Sequence, residues 1–431
     1  MLEAAEPTGG VNAQTRTRIA LRNASQPQPL AGHHAPYYLK RSSIRVLMLL
    51  TGARVAKEQA ISAALGTLDP EERQALFSVI LAEGLAPTVE THLRSRRLSS
   101  LLHESEREML QAEHSLNTVA FFQQVHALSR IAAAFAEHGI DFRLLKGLAL
   151  AAQAYPYPTA RRVGDMDIWV KPRDLLRALQ VLNQLGMRTA EHGPTLSAFV
   201  AAYAKEVVLY STAEAGFASI VDLHWHPAAP WWMRATLSID EAALFNRSYV
   251  VEIASLKCRT LDPTDNMWYL SLHAGVGHRY EGMRWLVDLA LLARSGTIDW
   301  RRLNGMVARS GTVATTWRAV EMLDRACGSN YASLLKSQPR VWHRAALRVL
   351  LPGFPSRRDA SPEVQPDVAL PLDRLVLLPG LPAMVGALRR LLWPSGRWVR
   401  LRYPQMGRKS ILRARLHHLT RLRHLVARRR R

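Results

Sequence analysis

Apolar residues along this chain repeat with two periods, one helical and one typical of strands. Helical spacing covers residues 41–97, where Asp69-Pro70-Glu71-Glu72 has the N-cap acceptor, first-turn proline and first-turn acids of a helix start. A longer helix is expected over residues 115–138, and helical spacing returns from Asp262-Pro263 to residue 351. The pattern therefore predicts helices on both sides of a central region with a different period.

The central region has short runs that alternate or are continuously apolar, as strands do. Residues 141–145 form an apolar run that breaks at Lys146-Gly147, and a helix is expected over residues 148–154. Further strands are expected at residues 164–170, at 207–210 and 218–225 (joined by a turn at 214–216), and as a pair within 249–259.

Two acidic residues lie on one face of the strand at residues 164–170. Alternation puts Asp165 and Asp167 on that face and Met166 and Ile168 on the other. Neighbouring carboxylates repel each other unless a cation lies between them. Mg²⁺ prefers carboxylates and substrate phosphates as ligands, so the strand predicts a magnesium site. The alternative is that this Asp-x-Asp is a surface feature or a loop cap.

Length and composition describe an ordinary packed protein. A chain of 431 residues with 48% hydrophobic content is long enough for two or three packed units. Two cysteines cannot form a disulfide framework and favour a reducing compartment. We see no secretory signal pattern and no apolar run of membrane-spanning length, so a cytoplasmic location is predicted.

The net charge of +22 is concentrated at one end of the chain. Residues 389–431 contain 15 Arg or Lys and no Asp or Glu, which leaves +7 on the rest. This basic tail has three interpretations. It is a solvated amphipathic end, a nucleic-acid contact, or a peripheral anchor on an anionic lipid surface, with Trp393 and Trp398 beside arginines.

These patterns divide the chain into six predicted segments. They are a flexible leader (1–38), an N-terminal helical region (39–114), an α/β core (115–260), a helical region packed on the core (261–351), a Pro-rich connector with an apolar segment (352–388) and the basic tail (389–431).

Four sets of residues occur in an order typical of one protein family. They are Leu144-Leu145-Lys146-Gly147 followed by Arg161, Gly164 and Asp165-x-Asp167; Asp222-Leu223-His224-Trp225; His273, His278, Trp285 and Asp288; and Trp393-Pro394-Ser395 with Arg402-Tyr403-Pro404. Together they resemble the uncharacterised nucleotidyltransferase family, a divergent branch of the polymerase-β-like nucleotidyltransferases. The resemblance spans residues 115–404.

The resemblance implies an α+β fold, with a small mixed sheet flanked by helices and with helical regions at both ends. It implies that Asp165 and Asp167 are the metal-binding pair and that Asp222 is a third carboxylate, both ligand and catalytic base. The implied reaction is Mg²⁺-dependent transfer of a nucleoside monophosphate from an NTP to a hydroxyl acceptor, with Mn²⁺ as an alternative ion. The acceptor would be a small molecule, a sugar, a peptide or a protein.

The chain departs from the wider superfamily at the turn after the first strand. Active members usually have Gly-Ser or Gly-Gly there, whereas this chain has Gly147-Leu148 and lacks the hydroxyl that would contact a phosphate. Lys146 and Arg161 are the expected substitutes for phosphate binding. Lys146 has the alternative of a simple strand-end charge, and Arg161 that of a partner for Asp165 or Asp167.

Gly164 and His224 complete the predicted substrate-binding set of Lys146, Gly147 and Arg161. His224 shares a strand face with Asp222, and its alternative is a packed or supporting residue. A zinc site made with other histidines is disfavoured, because their spacing matches no closed zinc set. Two competing functions remain: a catalytically weak scaffold that binds nucleotide or protein, and a nucleic-acid-binding protein acting through its tail.

Overall fold

The structure, a computed structural model, describes residues 39–189, 196–212, 219–351, 353 and 372–427. The predicted leader, the turn at 214–216 and most of the Pro-rich connector lie outside the described residues. Within the described ranges, no helix combines the length and the apolar character needed to cross a membrane.

Helices precede the sheet. They are α1 (Arg41–Leu50), α2 (Glu58–Gly66), α3 (Pro70–Ala82), α4 (Ala86–Ser95) and α5 (Glu104–Glu137). The predicted helix start at Asp69 is confirmed, because its side chain accepts a hydrogen bond from the backbone N–H of Glu72.

A seven-stranded mixed sheet forms the centre of the fold. Its strands are β1 (Phe142–Leu145), β2 (Met166–Val170), β3 (Met187–Thr189), β4 (Glu206–Ser211), β5 (Ile220–His224), β6 (Tyr249–Ile253) and β7 (Leu256–Thr260). They lie in the order β3-β4-β5-β2-β1-β7-β6. The pairs β2–β5 and β1–β7 are parallel and the others are antiparallel. The predicted α+β fold with a mixed sheet and flanking helices is confirmed.

Helices also lie between the strands and after them. Those between the strands are α6 (Gly147–Ala154), α7 (Leu175–Gln184), α8 (Ala198–Tyr203), α9 (Trp231–Arg234) and α10 (Glu241–Asn246). Those after them are α11 (Pro263–Leu272), α12 (Met283–Arg294), α13 (Trp300–Ser310), α14 (Val313–Cys327) and α15 (Val341–Leu350). The C-terminal helices are α16 (Leu381–Leu392), α17 (Gly396–Arg402), α18 (Pro404–Lys409) and α19 (Ile411–Ala427).

The helix expected over residues 115–138 is longer than predicted. It begins at Glu104, where Glu106 accepts a hydrogen bond from the backbone N–H of His103. Its first turns are strongly charged and lack the apolar period on which the prediction relied. The predicted boundary at residue 115 therefore falls inside α5, and residue 115 does not separate two elements.

The two faces of the sheet pack in different surroundings. Met166, Ile168 and Leu223 belong to a core that they form with α5 and α7. The opposite face, which includes Leu145 and Trp169, packs into the larger core formed with the N-terminal and C-terminal helices. Because β2 is buried throughout, polar residues on its second face lie under this larger helical layer.

The basic tail continues the helical part of the protein. Trp398 of α17 is buried against Phe199, Tyr203 and Trp231, with ring centroids 5.3 Å from Phe199 and 5.6 Å from Trp231. The expectation that Trp398 takes part in a surface anchor is therefore wrong, because its ring holds α17 against α8 and α9. Trp393, in contrast, is exposed.

Candidate functional site

A strained turn joins β1 to α6. Lys146 has φ +45° and ψ −138°, a conformation that non-glycine residues rarely adopt, and Gly147 follows with φ +31°. A Cβ atom on Gly147 would lie 3.3 Å from the backbone oxygen of Asp165. Glycine is thus required here both by its dihedral angles and by the close approach of the chain before β2.

Two carboxylates lie side by side on neighbouring parallel strands. Asp167 of β2 is the direct partner of Asp222 on β5, and His224 follows two residues later on the same face of β5. One ligand atom from each of these three residues lies within 4.8 Å of the others. Asp167 is 3% exposed and Asp222 is 2% exposed, so the group is buried. This arrangement of two carboxylates and an imidazole could hold a metal ion.

Asp167 receives two cationic or polar donors at one oxygen. Lys146 Nζ lies 2.7 Å and His224 Nε2 lies 2.9 Å from its Oδ1. Burial alone would raise the pKa of Asp167, but Lys146 and His224 outweigh burial and hold it below its usual range. Burial likewise acts to lower the pKa of Lys146, and the negative charge of Asp167 holds it above its ordinary value.

Strand β4 adds a residue that the sequence analysis did not select. Glu206 is the antiparallel partner of His224, and its Oε2 lies 3.1 Å from His224 Nδ1. This is an ion-pair distance, although the two groups are not aligned for a hydrogen bond. Lys205 Nζ lies 2.7 Å from the same carboxylate. Glu206 could be recognised as a neighbour of His224 only from the pairing of β4 with β5, which the sequence alone does not give.

Arg161 lies in a second, fully buried polar group. Its Nε and Nη2 donate to the two oxygens of Asp288 on α12, both at 2.9 Å. Tyr155 donates to Asp288 Oδ1 at 2.6 Å. Burial acts to lower the pKa of Arg161, but Asp288 holds it above its usual range. Arg161 thus gives a bidentate contact to Asp288, whereas the predicted alternative partners were Asp165 and Asp167.

The predicted residues fall into three places, one of which is the buried group of Arg161 and Asp288. Lys146, Asp167, Asp222 and His224 come together, with Gly147 at the turn beside them. Gly164 and Asp165 are half-buried and precede β2. Among the described residues, the group of metal-capable ligands contains His224 where the prediction had Asp165.

Two residues from helix α11 and from the π-helical turn that follows it, His273–Gly277, interact electrostatically with this polar face. They are Tyr269 and His273. Burial raises the pKa of Tyr269. The positive charge of Lys146 opposes this rise, and the carboxylates of Asp167 and Glu206 add to it. Burial also holds the pKa of His273 well below its usual range, and the positive charge of Lys146 adds to this effect. The pKa values of both residues therefore depend on the charges of the site.

The histidines outside the carboxylate group have other partners. His273 and His278 share a contact of 3.1 Å between their Nε2 atoms, and the ring of His278 stacks on Trp285 at 4.5 Å. His226 contacts Glu241 at 2.8 Å. In the part of the chain that the structure describes, none of the three belongs to the metal-capable group.

Comparison with protein families gives one match. The family described as uncharacterised nucleotidyltransferase matches residues 69–327, which is more than half of the chain. This chain belongs to the uncharacterised nucleotidyltransferase family. Comparisons with curated proteins and with solved structures find no match.

Family membership covers the whole site and confirms the resemblance stated from the sequence. The matched range begins earlier than the predicted one, at α3, and it ends with α14. It includes the carboxylate group and Asp288. The resemblance of Trp393–Pro404 lies beyond the matched range and stays a prediction.

Proposed function

We propose that this protein is a divalent-metal-dependent nucleotidyltransferase that moves a nucleoside monophosphate from an NTP to a hydroxyl acceptor. The observation that carries the proposal is the direct pairing of Asp167 with Asp222 on parallel strands, next to the turn that starts α6 at Gly147. Family membership supports the same reaction class. The acceptor hydroxyl would belong to a small molecule, a sugar, a peptide or a protein.

The donor set fits a divalent ion. Asp167 and Asp222 offer oxygen ligands to Mg²⁺, with Asp165 as the predicted partner from the chain before β2. His224 adds a nitrogen ligand, which suits Mn²⁺ better than Mg²⁺. When bound, such an ion would supply neutralising charge for the nucleotide phosphates.

The protein's own residues would then position the reactants and accept a proton. The acceptor oxygen forms a bond to the α-phosphorus, the bond to the leaving pyrophosphate breaks, and Asp222 takes the hydroxyl proton. Gly147 gives a phosphate close access to the backbone at the N-terminus of α6. Lys146 would bind phosphate once it moves from Asp167, since the two are in contact. Gly164 and His224 would line the nucleotide.

Arg161 is better suited to hold the site together than to bind phosphate. Its Nε and Nη2 atoms, which donate to Asp288, are buried, and Nη1 donates to the backbone oxygen of Arg162 at 3.2 Å. The residue therefore fixes the chain segment that leads to Gly164 and Asp165. Its predicted phosphate contact would require breaking the pair with Asp288.

Burial of the site favours a second function. Asp167, Asp222, His224 and Lys146 are all buried, so a nucleotide would reach them only after the residues that bury them move. Leu148, itself buried, stands where active relatives have a hydroxyl. These two features favour a catalytically weak protein of the same fold that binds nucleotide or a protein partner.

Calorimetry distinguishes the two functions. Each NTP would be titrated with Mg²⁺ into the full chain, into Asp167→Asn/Asp222→Asn and into the control Asp141→Asn, whose half-exposed carboxylate precedes β1. We expect metal-dependent binding that the double variant loses and the control keeps. Turnover by the wild-type protein with a pool of hydroxyl acceptors would support the enzyme. Absence of binding to every NTP would reject the enzyme and leave the protein-binding scaffold.

A further inference from the structure

Helix α19 has an apolar stripe that faces away from the protein. Ala414, His418 and Leu422 are its buried side, and His418 Nε2 contacts the backbone oxygen of Leu391 at 2.9 Å. Leu412 and Leu416, one turn apart on the opposite side, are 58% and 50% exposed. The helix is thus held in place by one side while leucines on the other side remain in water.

Arginines lie on both sides of this stripe. Arg413 follows Leu412 and Arg415 precedes Leu416, so the helical rotation places the two arginines on opposite sides of the leucines. The Arg415 guanidinium lies 5.0 Å from the ring centroid of exposed Trp393, and its Nε donates to the backbone oxygen of Pro394 at 3.1 Å. Trp393, Leu412, Arg413, Arg415 and Leu416 are called the C-terminal face below.

We propose that the C-terminal face binds the surface of an anionic lipid bilayer. Exposed leucines between arginines, with a tryptophan at the border, are what an interfacial helix presents to lipid: the apolar stripe enters the acyl boundary and the arginines contact headgroups. The absence of any acid from residues 389–431 makes the electrostatic attraction additive along the segment.

The same features disfavour a nucleic-acid partner. Proteins that bind single-stranded nucleic acid use aromatic rings on which the bases stack, together with a basic groove. The stripe of α19 is aliphatic and offers no ring to a base. The ring of the C-terminal face, that of Trp393, is already in contact with the Arg415 guanidinium. The exposed leucines are better suited to apolar material than to bases. Nucleic-acid binding is accordingly an outcome of the test.

The face is fixed to the α/β part of the protein but lies outside the family match. Trp398 packs against Phe199 of α8, and the Arg402 guanidinium lies 5.0 Å from the Phe199 ring. Strand β4 begins three residues after α8. Because the family match ends at residue 327, lipid binding would be a property of this chain's C-terminal helices and independent of the proposed transferase reaction.

Vesicle co-sedimentation of the full chain, without nucleotide, tests the proposal. We expect the protein to sediment with phosphatidylcholine vesicles that contain phosphatidylserine, to remain in solution with phosphatidylcholine alone, and to lose binding as salt increases. Leu412→Ser/Leu416→Ser should reduce the partition coefficient by about tenfold or more, because two leucines no longer leave water. Arg413→Gln should reduce it about fivefold.

The control is matched in residue type and exposure. Leu176 of α7 is 61% exposed and Leu116 of α5 is 46% exposed, so Leu116→Ser/Leu176→Ser should sediment as the wild type does. Circular dichroism and the urea midpoint of each variant check that its fold is intact, and Arg413→Gln keeps the proposal testable if the leucine variant unfolds.

Three results would overturn the proposal. They are failure to sediment with phosphatidylserine vesicles, equal sedimentation with both kinds of vesicle, and wild-type sedimentation of Leu412→Ser/Leu416→Ser together with Arg413→Gln. If the protein binds a single-stranded RNA but does not sediment with anionic vesicles, the partner of the C-terminal face would be a nucleic acid instead. The assay contains no nucleoside triphosphate, so none of these results depends on the transferase proposal.

Discussion

The ammonium nitrogen of Lys146 lies 2.7 Å from the Oδ1 atom of Asp167, and both side chains are buried. The contact follows from the sheet register, because Asp167 is the cross-strand partner of Leu145, the residue before Lys146. Lys146, in the first turn after β1, therefore has both a strained backbone and a buried ion pair. The negative charge of Asp167 is therefore paired with a cationic side chain of the protein itself.

Replacing Lys146 by Met should destabilise the protein at neutral pH by about 3–5 kcal/mol, because a buried carboxylate loses its counter-charge. The pH dependence of this loss of stability follows from Asp167, whose pKa is held low in the folded state. In the wild-type protein, the Asp167 carboxylate contributes to the free energy of unfolding at pH values above its unfolded pKa of about 3.9. This contribution is lost as the pH falls below that value. In Lys146→Met, burial raises the pKa of Asp167, so the difference from wild type should narrow as pH falls from 7 toward 4. Urea unfolding at several pH values measures it.

The double variant Lys146→Met/Asp167→Asn separates the ion pair from side-chain packing. It should be more stable than Lys146→Met alone, since no unpaired charge remains buried. Equal stability of the single and double variants would show that the contact contributes no electrostatic coupling.

Replacing Gly147 by Ala should cost about 1–3 kcal/mol, since φ is +31° and the new Cβ would press on the Asp165 backbone oxygen. Gly139→Ala is the matched control. Gly139 also has a positive φ, of +61°, but a Cβ there would meet nothing within 4 Å. Thermal unfolding should therefore show a larger loss for Gly147→Ala, and equal losses would mean that the close approach to Asp165 has no energetic effect.

Asp288 should be among the most sensitive positions in the protein. Asp288→Ala leaves the buried guanidinium of Arg161 without its anion, which should lower the free energy of unfolding by about 3–5 kcal/mol. Tyr155→Phe removes only one hydrogen bond to the same carboxylate and should cost about 1–2 kcal/mol. Denaturant titrations rank the two variants, and a Tyr155 effect as large as that of Asp288 would contradict this order.

His273 should make stability depend on pH in the mildly acidic range. Its folded pKa is well below the usual value, whereas the unfolded residue takes up a proton near pH 6.5. The unfolded state therefore binds more protons below that pH, and stability falls as pH drops. His273→Gln should flatten this part of the stability profile, as measured by unfolding between pH 5 and 7.5. An unchanged slope in the variant would exclude His273 as its source.

Much of the fold was predictable from local signals. The helix starts at Asp69 and Asp262 are where the capping residues indicated, because capping is a short-range interaction. Strand β3 was missed, since three residues at a sheet edge give no readable alternation. The first turns of α5 were missed because charged residues and a capping box define them, not an apolar period.

The candidate site was only partly predictable, because its contacts join residues distant in sequence. The alternation of β2 and β5 placed Asp167, Asp222 and His224 on their faces correctly, and the register then brought them together. No local pattern could reveal that Arg161 pairs with Asp288, 127 positions later, or that Glu206 approaches His224 from β4. Long-range partners depend on the order of strands and on helix packing, and both require the whole fold.

Helix α5 contains 34 residues and is about 50 Å long. Its first half contributes Leu110 to the larger core, and its second half contributes Phe121 and Ile131 to the core under the sheet. One continuous helix thus contributes side chains to both cores. Neither of these two cores can unfold without exposing part of this helix. We therefore expect heating to unfold both cores together, in a single calorimetric peak.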